Sequence, residues 1–212
     1  MNRTWVLFLC LVALIAGWAA YSRMYPQAST ASAAIPPRIE GSKIYFVPFG
    51  DFPNGELDSL RSYCRGKYGV EIEIRHSVQT DRASYDESRQ QVIAERLISD
   101  LRDAFPEYAN DPKAILIGFT SEDMYPMSKN WQFAFGWRQT NPPGAVVSTA
   151  RLKLPGTTGV SDPDLETARL RKVVAKDIGI LYYGMHPSSD PGSVLYSLIM
   201  GIEELDAAGE DF

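Results

Sequence analysis

The chain has 212 residues and a formal net charge of -5, which suits one domain with a real hydrophobic core and excludes two large ones. No run of Lys or Arg occurs in it, so it lacks the electrostatic footprint for a phosphate backbone, and nucleic acid is not an expected partner. Cys10 and Cys64 are the only cysteines; Cys10 lies in an N-terminal apolar run, so no disulfide within the domain and no thiolate zinc site is expected.

Trp5 to Ala20 is an almost unbroken apolar run behind Arg3, the pattern of a signal peptide or an N-terminal transmembrane anchor over residues 1–22. The protein is therefore expected to be exported, and either held in the membrane by its N-terminus or secreted or periplasmic. Residues 23–38 follow as a tether, whose stretch Gln27 to Pro37 is Ala, Ser, Thr and Pro without charge and too small-sided to bury much surface. The folded domain is expected over residues 39–212.

Lys43 to Phe49 is an apolar, aromatic and β-branched run closed by Gly50, hence a strand. A helix is expected over Asn54 to Lys67, with Leu57, Leu60 and Cys64 on one face and Gly69 just past its end. Val70 to Val78 alternates apolar and polar residues as a half-buried strand does, and His76 within it reads as an edge or half-buried histidine rather than a ligand. Asp86 to Phe105 is the next helix, on the stripe Ala94, Leu97, Ile98, Leu101 and Phe105, stopped by Pro106.

Strands are expected over Lys113 to Thr120, Trp131 to Trp137 and Gly144 to Thr149, the last after an Asn-Pro-Pro-Gly turn. Leu165 to Tyr183 is the last long helix, centred on Leu170, Val174, Ile178 and Leu181, with Lys176 and Ile180 together off that centre and Gly184 as its stop. A Pro- and Ser-rich turn then leads through Ser193 to Met200 into a short acidic tail helix, whose Asp206, Glu210 and Asp211 read as a solvated face. Strands alternating with helices imply an α/β fold with a mixed, mostly parallel twisted sheet of about five strands.

Several segments carry a further likeness. Arg89-Gln90-Gln91, Ile117-Gly118-Phe119-Thr120 followed by Asp123, Phe133-Ala134-Phe135-Gly136 and Ser148-Thr149-Ala150-Arg151-Leu152 occur in this order. They resemble the Arg/Gln-rich helix start, G-x-T-x-x-D, F-x-F-G and S-x-x-R-L segments of the archaemetzincins, metzincin-type zinc metalloproteases. The resemblance runs over about Lys43 to Phe212. It implies two covering helices and a long active-site-type helix followed by a Met-turn-like segment.

The resemblance aligns the metzincin signature H-E-x-x-H-x-x-G-x-x-H with Lys176, Asp177, Ile180 and His186, with Gly184 one place late and Leu195 where the Met-turn methionine would stand. In such a site two histidines at i and i+4 and a third beyond the glycine hold zinc, and the glutamate takes a proton from the metal-bound water. Lys176 and Ile180 offer zinc no lone pair at neutral pH. Asp177 is one methylene shorter than glutamate, about 1.5 Å less reach. His76 and His186 are the only histidines, so no three-histidine site can be built. The family's additional cysteine zinc site is missing as well, since Pro187 and Ser193 stand in its places.

Leu for Met keeps volume and apolarity, so the floor of the site is expected to persist. Lys176 is expected either as a solvated helix lysine or with its ammonium near the metal's place, paired with an acid across the groove. Ser188 and Ser189 beside His186 lack the strained elbow of a serine hydrolase.

The expectation is therefore a metalloprotease homologue that has lost zinc binding and peptidase activity. It would act outside the cytoplasmic membrane as a binding or regulatory module, needing no cofactor. By the resemblance, an extended peptide or an envelope protein would occupy the former substrate groove along an edge strand, with Trp131, Phe133, Phe135 and Trp137 as candidate lining. The alternative is an active zinc-dependent metallopeptidase with an atypical ligand set of His186, Asp177 and Asp190.

Overall fold

The computed structural model describes residues 38–155 and 162–212; the segments expected as a leader and, up to residue 37, as a tether lie outside the described residues. No helix among the described residues is long and apolar enough to cross a membrane.

Strands β1 (Lys43–Pro48), β2 (Ile72–Ile74), β5 (Ala114–Thr120), β7 (Gly136–Thr140) and β8 (Pro143–Ser148) form one sheet in the order β2-β1-β5-β8-β7. The first four of that order run parallel and β7 is antiparallel to β8, with Gly136 opposite Val147 and Thr140 opposite Pro143. Helices α1 (Asn54–Tyr68) and α3 (Pro163–Leu181) cover one face, and α2 (Ala94–Ala104) the other. Apolar alternation along β1 divides the core, with Ile44 and Phe46 facing α1 and α3 while Tyr45 and Val47 face α2. All seven residues of β5 are buried, as befits a parallel strand covered on both faces.

The α/β architecture matches the expectation, and three predicted boundaries move. The helix expected from Asp86 begins only at Ala94. The Asp86 carboxylate accepts from the Ser88 and Arg89 amides and holds a turn, and Gln90 takes a left-handed φ of 53° that no helix accommodates. Gln91–Ile93 then form β4, between β3 (Tyr85–Asp86) and β6 (Met124–Tyr125) in a second small sheet. The alternating stretch Val70 to Val78 yields a strand only over Ile72–Ile74, because its pairing with β1 ends there apart from one bridge from Val78 to Phe49. The aromatic strand expected at Trp131 starts at Gly136, once the chain can pair with Val147 of β8.

Asp162 caps α3 through the Asp164 amide, with Pro163 in its first turn, and Gly184 lies beyond its end at a left-handed φ of 66°. The tail helix α4 (Ile202–Ala207) is held by charge. Arg169, 2% exposed, donates to both carboxylate oxygens of Asp206 at 2.6 and 2.7 Å and to the carbonyls of Leu152 and Leu154. Lys172 donates to the Leu205 and Asp206 carbonyls. Asp206 is thus no solvated surface acid but the partner of a buried arginine, a contact formed only when α3 and α4 meet.

Candidate functional site

The C-terminal half of α3 meets two different structures on two of its sides. Val173 and Asp177 face β7, and Gly136 makes that approach possible: a Cβ there would lie 2.9 Å from Val173 Cγ1. On another side Gly179 faces Leu195, where a Cβ would lie 2.7 Å from Leu195 Cδ2. At roughly 100° per residue, Lys176 and Ile180 fall between these two sides. Both are half-buried, on the face of the helix between β7 and the Leu195 segment. Leu195 itself is buried beneath the helix.

Asp177 is fully buried and accepts from Arg138 Nε at 2.5 Å through Oδ1, while its Oδ2 has no partner. Burial pushes the carboxyl above its ordinary range, against the opposing pull of the Arg138 guanidinium and the Lys176 ammonium. The Lys176 ammonium donates to the Tyr196 carbonyl. Burial, reinforced by Arg138 and opposed by Asp177, pushes its amine down to about 8, so most of it is protonated at neutral pH. Among the described residues Lys176 thus meets a carbonyl rather than the acid expected across from it, and its sequence neighbour Asp177 is held by the planar guanidinium of Arg138 from the edge strand.

His186 is exposed in the loop after α3. That loop is tied to the far rim: the Ser188 amide donates to the Leu195 carbonyl and the Ser197 amide to the Ser188 carbonyl, both at 2.9 Å. Lys176 and the loop carrying His186 thus meet the same short segment. Asp190 is exposed and caps the Gly192 amide. His76 is exposed at the other end of the sheet order, its ring 4.8 Å from that of Phe105. Ser193 accepts from the Leu195 amide.

Among the described residues no three His, Cys, Asp or Glu side chains gather as a metal site requires, and His186, Asp177 and Asp190 do not assemble into the alternative ligand set. The donor chemistry does not fit zinc. One position is an ammonium already donating to a carbonyl, one is an alkyl chain, and the carboxylate is bonded to a guanidinium rather than aimed at open space.

The other motif residues form one polar network that carries β7. Arg89 Nε donates to Gln91 Oε1 at 2.8 Å, and Gln91 Nε2 to Asp123 Oδ2 at 2.9 Å. Arg151 grips both Asp123 oxygens at 2.8 and 2.7 Å. Arg89 and Gln91 also donate to the Gln132 carbonyl, and the Arg151 guanidinium lies 4.2 Å above the Phe133 ring. The loop leading into the edge strand is therefore fixed at its start. Of the four aromatics, Phe135 is buried and stacks edge-on with Phe133; Trp131, 44% exposed, meets Trp137 edge-on on the opposite face. Only Trp131 presents a largely open surface.

Sequence reasoning missed Arg138, Gly179 and Tyr196. Arg138 carried a readable signal, as a charged residue two places after Gly136 on the sheet face turned to α3; the other two act through backbone proximity, which no side-chain pattern records.

No family model and no curated protein matches the chain. Solved structures do. The archaemetzincin of Methanopyrus kandleri is 26% identical over 82% of this chain and 91% of its own, with a TM-score of 0.63. The archaemetzincin of Archaeoglobus fulgidus, solved in complex with malonate, is 21% identical over 80% and 94%, at 0.63. A zinc-dependent peptidase of Methanocorpusculum labreanum is 20% identical over 80% and 95%, at 0.66. Agreement in fold leads to one conclusion: this chain has an archaemetzincin-like fold, in which the described residues gather no group of three potential metal ligands.

Proposed function

We propose that the protein is a non-catalytic member of the metzincin type that holds an extended peptide or an envelope protein outside the cytoplasmic membrane, without zinc and without peptidase activity. The observation that carries this reading is the ion pair between Asp177 and Arg138. A general base needs a lone pair aimed at the water it deprotonates. Here the carboxylate at that position is bonded to a cation from the rim where substrate would lie. Lys176 and Ile180 stand as vestigial ligand positions with His186, and Leu195 as the vestigial Met-turn position.

Binding is supported by the edge. The Ser148 amide donates to the Phe135 carbonyl, so by antiparallel alternation the main-chain groups of Gly136, Arg138 and Thr140 point away from β8. No strand pairs with them among the described residues. An extended segment completes such an edge by strand addition. The apolar run Trp5 to Ala20 supports export or anchoring in the membrane; partition of the full-length protein between membrane and soluble fractions of its own cells tests this part.

Metal analysis and peptidase assay of the purified full-length chain test the central claim. The expected result is sub-stoichiometric zinc and no cleavage; a stoichiometric, chelator-removable zinc that supports cleavage overturns it and favours the atypical metallopeptidase.

A further inference from the structure

Where α3 packs against β7, the two elements carry two cations and one carboxylate, Arg138, Lys176 and Asp177. Arg138 uses only Nε on Asp177, and its two terminal nitrogens make no hydrogen bond among the described residues. Lys176 uses one of its three N–H donors, on the Tyr196 carbonyl. Asp177 Oδ2, buried and without a partner, lies on the β7 side of the helix, 3.8 Å from where a Gly136 Cβ would stand. Half-buried cations with open donors favour an anion that is less hydrated than one in bulk water.

Strand addition fixes where that anion would come from. Arg138 is one of the three residues whose main chain points to the open edge, and its side chain leans to the α3 face of the sheet. The residue of an added strand directly opposite Arg138 has its Cβ about 5 Å away on the same face, beside the guanidinium and on the side where Lys176 lies. We infer that the β7 edge selects an extended peptide with an acidic side chain at the position opposite Arg138, held jointly by the Arg138 guanidinium and the Lys176 ammonium. This rests on the strand-addition reading and adds the chemical class of the ligand.

The probe is a set of capped hexapeptides of alternating Val and Thr in which one Glu is walked along the chain, each with a Gln twin, titrated onto the full-length protein by isothermal calorimetry. One Glu register should bind roughly tenfold more tightly than its Gln twin, the worth of one charge-assisted hydrogen bond over a neutral one. In Lys176→Met that ratio should fall below about threefold, with a far-UV circular dichroism spectrum like the native one showing that the variant is folded. The native advantage should shrink in about 1 M salt, where the screening length is ~3 Å. Equal binding of Glu and Gln twins overturns the inference and leaves the strand-addition reading standing. An advantage unchanged in Lys176→Met and in high salt overturns it likewise. Failure of every peptide to bind overturns both.

Discussion

Replacing Arg138 by Met should destabilise the protein by about 3 kcal/mol, because it removes the one donor that Asp177 has among the described residues while leaving the carboxylate fully buried. Breaking a buried ion pair on one side costs ~3–5 kcal/mol. The lower end applies, since Arg138 itself is 25% exposed and water can partly replace it. With a urea slope of ~2 kcal/mol/M for a domain of this size, the unfolding midpoint should drop by about 1.5 M. In the double variant Arg138→Met, Asp177→Asn no unpaired carboxylate is left buried against β7, and most of the loss should return.

The pH dependence has a definite sign. The Asp177 carboxyl titrates above its ordinary value of 3.8 in the folded protein, so on acidification the native state takes up that proton before the unfolded chain does. Its contribution to stability therefore rises as pH falls from the raised value toward 3.8, and is lost as pH climbs back. That rise should be larger in Arg138→Met than in the native protein and absent in the double variant. An Arg138→Met variant within about 1 kcal/mol of native at neutral pH, or a double variant no more stable than the single one, would mean that Asp177 does not depend on Arg138 for its burial as a charge.

Three further outcomes follow from the same geometry. Leu195→Ala should cost ~2–5 kcal/mol in chemical denaturation and Leu195→Met under ~1.5, as expected for a buried side chain pressed on Gly179; Gly179→Ala should cost ~1–3 by overpacking. Combining Lys176→His, Ile180→His and Asp177→Glu should give a chain that retains zinc through chelation-free purification, read by elemental analysis, while a folded but metal-free product would show that these positions and His186 do not share a pocket. Lys176, whose amine is pushed down to about 8 by burial and by Arg138 against the pull of Asp177, should react with amine-modifying reagents half-maximally near that pH in peptide mapping. A midpoint near the ordinary 10.5 would mean that the Lys176 ammonium is solvated rather than half-buried.

Gly118 illustrates what could be read and what could not. The sequence places it in a run of apolar residues, which is enough to infer a buried strand, and β5 is that strand. It does not reveal why glycine is required there. A Cβ at Gly118 would lie 2.6 Å from Phe49 and 3.0 Å from Leu101, so the residue exists to let α2 close on the sheet. Likewise the stripe on the last helix marked Leu170, Val174, Ile178 and Leu181 as core, and all four are buried.

The helix expected from Asp86 failed in an informative way, because its apolar stripe begins only at Ala94. The turn at Asp86 and the left-handed Gln90 are local chemistry that periodicity ignores. Arg89 and Gln91, matched to a helix start, instead work with Asp123 and Arg151 to fix the loop before the edge strand.

By itself the sequence determined the α/β class, the faces of the core and that only two histidines are present, because hydrophobic periodicity and side-chain donor chemistry are local properties of residue type. Tertiary structure alone decided which charges meet: Arg138 with Asp177 across 39 positions, Arg169 with Asp206 across 37, Lys176 with the Tyr196 carbonyl across 20. A carboxylate's partner is whichever donor packing brings within about 3 Å, and that distance is set by the close approach of β7, α4 and the Leu195 segment to one helix rather than by any pattern along the chain.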